Sequence, residues 1–225
     1  MMAPLPTSVA SSTKFLAQLA EARRLRADLV VSPSSSSNSL GDEVRLESLL
    51  WDDATNQLGG ALADALGISD GLENLHNSLP DFSPRPEAHS IVMEAKKTLL
   101  RPLADPAIAA EFLAAYDRVV CNVVAPHIQE ALSSDRPLQS LHYAAFPTLR
   151  VQTPSHDKAT IRPHVDGMYG LQHDSVNFWL PLTSVCAASA LWTESGPPGI
   201  GGDRDEYHPL TRPTRFDGRN RVHFT

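Results

Sequence analysis

The sequence predicts an α+β fold in which N-terminal helices support one face of an antiparallel sheet assembly of the barrel or jelly-roll kind. Two observations carry this expectation. Apolar residues recur at helical spacing as far as Leu132, and beyond it the chain turns into short alternating segments separated by turn residues. Helices followed by strands, rather than interleaved with them, segregate into an α+β domain, and several short strands in series suit a closed or two-sheet β architecture. With 225 residues and an apolar fraction of 42%, the chain can bury one sizeable core.

In chain order, residues 1–40 read as a disordered extension, because 32–39 (SPSSSSNS) is low in complexity and too polar to bury. A helical support region follows over 41–137. Its first part, 43–66, has a broken helical period through Val44, Leu46, Leu49, Leu50, Leu58, Leu62 and Leu66, with Gly59 and Gly60 as the weak point. Ile91, Val92, Ala95 and Leu99 mark a helix stopped by Pro102. Asp105 and Pro106 form a helix start, with the carboxylate as cap and proline at the first helical position. From there Ile108, Phe112, Tyr116, Val119 and Val123 trace an apolar stripe, which Pro126 should end or kink. The strand core is expected over 138–225, with strands at 140–143, 148–152, 161–166, 175–183, 190–194 and 221–225.

Composition excludes several function classes. A net charge of −7 and a pI near 5.7, with no compensating Lys/Arg block, leave no electrostatic footprint for a nucleic acid. No apolar run reaches the roughly 18 to 20 residues needed to span a bilayer, so no membrane partner is expected. Cys121 and Cys186 read as small buried hydrophobes in a reducing compartment, and the expected location is the cytoplasm. The competing reading is an organelle transit peptide, from Ser11, Ser12 and Thr13 with Lys14, Arg23, Arg24 and Arg26 and no acid before Glu21.

The chemistry is concentrated in His164, Val165 and Asp166, with His223 almost at the C-terminus. On an extended segment residues i and i+2 share a face, so an imidazole and a carboxylate project toward one point. A third ligand from a distant strand completes two histidines and one carboxylate on one side of an octahedral Fe(II), leaving open positions for co-substrate and dioxygen. Nine histidines and 26 acidic residues would give about one His-x-acid by chance, so the flanks decide. Ile161, Pro163 and Val165 alternate with Arg162, His164 and Asp166, and Val222 and Phe224 alternate with His223. Both segments read as strands with the histidine on the polar face. His208 is the rival third ligand, and His173 is placed at the rim of the same cavity. Asn177 and Trp179 share one face of the strand between and are candidates to line a co-substrate pocket. Gly196 to Gly202 lacks the helix start of a phosphate loop and reads as a loop over the cavity mouth.

The order of segments TLRV at 148–151, PHVD at 163–166, NFWLPLT at 177–183, LWTES at 191–195, YHP at 207–209 and HFT at 223–225 resembles the StrG-type proteins of antibiotic-biosynthesis clusters. These stand within the wider Fe(II)- and 2-oxoglutarate-dependent dioxygenases of the double-stranded β-helix, or cupin-like, fold. The resemblance spans roughly 138–225. It implies helices packed on a jelly roll, Fe(II) held by His164, Asp166 and His223, and 2-oxoglutarate and dioxygen as co-substrates. The implied reaction is oxidation of a C–H bond of a small polar substrate. In that superfamily a cation about one strand beyond the distal histidine pairs with the far carboxylate of 2-oxoglutarate. Here Thr225 is the last residue, so the expectation is a fragment with an incomplete barrel, weak 2-oxoglutarate binding and an unpaired edge near 220–225. Arg150, Arg162, Arg219 and Arg221 are the cations left to serve, and Arg150 is taken with Asn177 and Trp179 as cofactor-binding. The alternative from another class is a non-catalytic cupin-like module that holds a metal or small molecule.

Overall fold

A computed structural model of the chain describes residues 13–30, 46–49, 57–79, 86–132, 137–152, 161–172, 175–195 and 207–225. The fold is mixed α+β, with helices and two small antiparallel sheets of three strands each. It divides into two compact units, one spanning 1–48, 155–181 and 185–225 and the other 49–154 with 182–184. The low-complexity stretch at 32–39 lies outside the described residues.

Among the described residues, the first unit holds all the strands. Its first described element is helix α1 (Thr13–Val30), a correction within the disordered extension expected over 1–40, the remainder of which lies outside the described residues. Phe15, Leu19 and Ala22 recur at i, i+4 and i+7, fall on one face and are buried. They pack with Val165, Trp192, Tyr207, Val222 and Phe224, and the rings of Phe15 and Phe224 meet edge to face at 5.0 Å. Burial of that stripe outweighs the polarity of the Arg-rich remainder of the helix, at roughly 1.5 to 3 kcal/mol for each large side chain.

One sheet has the order β1 (Glu47–Ser48), β5 (Thr214–Phe216), β2 (Asn177–Trp179); the other has β4 (Tyr207–Leu210), β3 (Leu191–Glu194), β6 (His223–Phe224). Alternation sorts the second sheet. Trp192, Tyr207, Val222 and Phe224 point to α1, while Leu191 and Leu210 point the other way and meet Phe216, Trp179 and Leu46 of the first sheet. Two faces of two sheets therefore enclose a small apolar cluster. The strands are shorter than the sequence suggests. Within 175–183 only Asn177–Trp179 pair, against Phe216, Arg215 and Thr214, and the segment is half-buried throughout rather than alternating. Residues 161–166 are extended and join the second sheet through the His164 to His223 bridge and through reciprocal backbone hydrogen bonds of 3.3 Å between Ile161 and Thr225, so His223 and Thr225 do not form the unpaired edge expected near 220–225. The chain then tightens into a 3₁₀ turn at Asp166–Tyr169, closed by Gly170 at φ 84°, where a side chain would be strained.

The second unit is helical. The broken period over 43–66 resolves into an extended piece carrying β1, which belongs to the strand unit, and helix α2 (Leu58–Leu66). Helix α3 (Pro86–Leu100) passes into a 3₁₀ turn (Arg101–Ala104) at Pro102. Asp105 then caps helix α4 (Pro106–Val119) by accepting from the Ala107 N–H at 2.9 Å. The buried face of α4 is Ala109, Phe112, Ala115 and Val119, which corrects the expected stripe; Ile108 is 44% exposed. Helix α2 packs against α4, whose buried face includes the small Ala109 and Ala115. Pro126 does not end the helix. A π turn (Val120–Val124), closed by the Ala125 N–H on Val120 O, precedes it and the chain runs on as α5 (Ala125–Ala131).

Residues 140–143 and 148–152 are not strands, and the described part of 137–152 forms no regular structure. Instead Phe146 packs on Phe112 and Tyr143 on Tyr116, with the Tyr143 hydroxyl donating to Asp117 at 2.9 Å. Their aromatic side chains serve as a cover for α4 rather than as one face of a sheet. Cys121 and Cys186 are free but exposed, not buried. Among the described residues no helix is long and apolar enough to cross a membrane.

Candidate metal centre

Three segments of the strand unit build the site. The bridge between His164 and His223 is a reciprocal pair of backbone hydrogen bonds, 3.1 Å from His164 N to His223 O and 2.9 Å in return. It sets the two imidazoles side by side, with ring centroids 4.2 Å apart. Asp166 follows at the end of the same extended run, its own N–H donating to Gly218 O at 2.8 Å. Both histidines are buried and Asp166 is half-buried.

The ring orientations are fixed by the backbone. His164 Nδ1 lies 2.8 Å from Arg162 O, and His223 Nδ1 lies 3.0 Å from Arg221 O. A carbonyl oxygen only accepts, so in each neutral ring Nδ1 carries the hydrogen and Nε2 presents its lone pair. Both Nε2 atoms face Asp166 Oδ1 at 3.5 Å, longer than an ordinary hydrogen bond. The three ligand atoms lie within 4.8 Å of one another. Three acceptors aimed at one buried point repel unless a positive charge stands among them, and the 3.5 Å from Asp166 Oδ1 to each Nε2 is a separation open to ligands about 2.0 to 2.2 Å from a shared ion. The group can hold a metal ion. Burial works against the Asp166 charge, but hydrogens on the two Nε2 atoms, whose place a bound ion would take, together with the Asn177 amide outweigh it and hold the carboxyl well below the usual carboxylate range.

No family model, curated protein or solved structure matches the chain. The reading of the site therefore rests on its geometry and on the sequence pattern.

The three residues expected as ligands are the three brought together. Asn177 is beside them, with Nδ2 donating to Asp166 Oδ2 at 2.7 Å. Trp179, two residues on, packs instead into the apolar cluster of Leu191, Leu210 and Phe216. Arg150 is exposed and belongs to the helical unit. Arg162 is exposed and donates to the Tyr169 hydroxyl at 3.3 Å, and the Tyr169 ring meets His164 edge on at 5.6 Å. Arg219 donates to Leu171 O and to Asn220 Oδ1, and Arg221 donates to Glu194 O at 2.8 Å. His208 is exposed on β4 and is not part of the triad. His173 and the Gly196 to Gly202 loop lie outside the described residues.

Two contributors escape a reading of the sequence. Gly218 touches both Asp166 and Asn177: a Cβ placed there would be 2.7 Å from Asn177 Cγ and 2.7 Å from Asp166 Oδ2. The Asp217-Gly218 pair is a turn signal, but nothing in it announces a neighbour. Glu194, also buried, accepts from the Val222 N–H through Oε2 at 2.9 Å while its own N–H donates to Val222 O at 3.0 Å. It fixes the backbone immediately before His223.

Proposed function

We propose that the chain is a non-haem Fe(II)- and 2-oxoglutarate-dependent dioxygenase that oxidises a C–H bond of a small polar substrate, on a jelly-roll arrangement of the double-stranded β-helix type. The observation that carries this reading is the convergence of two imidazoles and one carboxylate from residues far apart in sequence, with no fourth ligating side chain in the group among the described residues. A closed structural site fills its coordination with protein side chains, whereas three ligands leave room for small molecules. Held there by His164, Asp166 and His223, Fe(II) would supply activation of dioxygen together with a chelating 2-oxo acid. His164 and His223 would bind through Nε2, their other ring nitrogens held on backbone carbonyls so that neither ring turns. Asp166 would supply the anionic ligand. The burial of both histidines keeps bulk water from the inner wall, and Tyr169 with Arg162 stands on the exposed side of His164, where a substrate would approach. The segment order, which resembles that of StrG-type proteins, supports the same reading.

The test is succinate release from 2-oxoglutarate under air, with Fe(II) stoichiometry measured on the same sample. One Fe(II) per chain and iron-dependent succinate, both lost in His164→Ala, are expected. Iron binding without succinate would reduce the protein to a metal-holding module, and no iron binding would refute the centre altogether.

A further inference from the structure

The carboxylate of the triad has two oxygens, and only one faces the histidines. Oδ1 stands 3.5 Å from each Nε2, while Oδ2 accepts from Asn177 Nδ2 at 2.7 Å. Because an ionised carboxylate only accepts, the amide orientation is settled: the NH₂ end points at Asp166. We infer that Asn177 is a positioning residue that holds Asp166 as a one-oxygen ligand, and that Gly218 is the residue whose missing side chain admits it. The inference rests on the metal reading above and assigns Asn177 a role other than lining a co-substrate pocket.

Two features argue for positioning rather than ordinary pairing of a polar group in a sheet. First, the space for the amide is made by the backbone. A Cβ on Gly218 would stand 2.7 Å from Asn177 Cγ, 2.8 Å from Asn177 Nδ2 and 2.7 Å from Asp166 Oδ2, so even a methyl group forces the pair apart. Gly218 has no left-handed backbone angle that would otherwise require glycine. It also grips Asp166 through its carbonyl, at 2.8 Å from the Asp166 N–H, so main chain and side chain of the ligand are both fixed against the same turn. Second, the other end of the amide, Asn177 Oδ1, is buried and has no hydrogen-bond partner among the described residues. A residue kept only to satisfy its own polarity would pair both ends. Asn177 instead commits its donor to one carboxylate oxygen, and a carboxylate so restrained cannot swing to offer both oxygens to one ion.

Partners that orient a ligand typically change metal affinity by about 10- to 100-fold when removed. The experiment titrates Co(II) into the wild-type chain, Asn177→Ala, Asn177→Asp and Gly218→Ala, reading affinity and the visible absorption of the bound ion, with thermal melts alongside. Asn177→Asp keeps the shape but replaces the donor by an acceptor. Expected are Co(II) affinities lower by about 10- to 100-fold in all three variants, an altered spectrum, and melting temperatures close to wild type. Unchanged affinity and spectrum in Asn177→Ala and Asn177→Asp would overturn the inference, and variants that no longer fold would make Asn177 structural and overturn it equally. If the wild type itself takes up no Co(II), the metal reading fails, a result distinct from binding that ignores Asn177.

Discussion

The two units bury different things. In the helical unit the inaccessible side chains are apolar: Phe112, Ala115 and Val119 on α4 are fully buried, with Leu58, Ala61 and Leu62 of α2 also in the core. In the strand unit lie all the buried polar and charged residues among those described, namely His164, Thr193, Glu194, Thr214, Arg215, Asp217, Arg221 and His223. Burying such groups disfavours folding unless each finds a partner, so a core built only for stability avoids them. The helical unit follows that rule. The strand unit departs from it around the triad, where even the fully buried Thr193 hydroxyl, on the residue opposite His223, has no hydrogen-bond partner among the described residues. A local departure from the stability rule is what a binding site leaves in a fold.

The contrast can be broken by four substitutions. The largest effect is expected for His164→Ala or His223→Ala, which should take bound Fe(II) from one per chain to none, because two remaining ligands hold a labile divalent ion poorly against water. The fold should persist, since a catalytic metal site is seldom the main source of stability at this size. Metal analysis beside circular dichroism reads both, and retained stoichiometry would break the assignment. Next, Phe112→Ala should lower unfolding free energy by about 3 to 5 kcal/mol, the cost of a large cavity in an apolar core. Urea unfolding measures it, and a loss under about 1 kcal/mol would mean the helical core is not packed as described. The smallest is Glu194→Ala, which strips the Val222 N–H of its carboxylate partner and should cost about 1 to 3 kcal/mol. Its Fe(II) affinity sharpens the comparison: a polar group of the strand unit that merely stabilises would leave affinity unchanged, whereas one that seats His223 would lower it.

Much of this was legible where local chemistry and structure agree. The Asp105 cap and Pro106 start of α4 are properties of a few adjacent residues, and alternation about His164 and His223 placed both rings on shared faces. The class, α+β, followed from where helical spacing stops. Other features depend on contacts that spacing does not report. The stripe on α4 was offset because Ala109 and Ala115, small and inconspicuous, face inward while Ile108 does not. In α1 the i, i+4, i+7 spacing of Phe15, Leu19 and Ala22 was present but overshadowed by the arginines that follow. Tyr143 and Phe146 gave strand-like composition to a segment whose aromatic rings lie on a helix. Gly218 matters for what it lacks, and a missing side chain has meaning only once its neighbours are known.

The pairing of His164 with His223 carries a further consequence for how the centre can fail. Strand β6 is two residues long, and alternation along it has a period of two. A slip of one position would set Val222 or Phe224 opposite His164, turn the His223 ring toward the apolar cluster on α1, and drive an aromatic or aliphatic side chain among the ligands. No intermediate alignment exists in which the site is half made. Misalignment in this short ladder would therefore yield molecules that are either fully competent or blank for metal, so a preparation with fractional occupancy should resolve into two populations rather than one of weakened affinity.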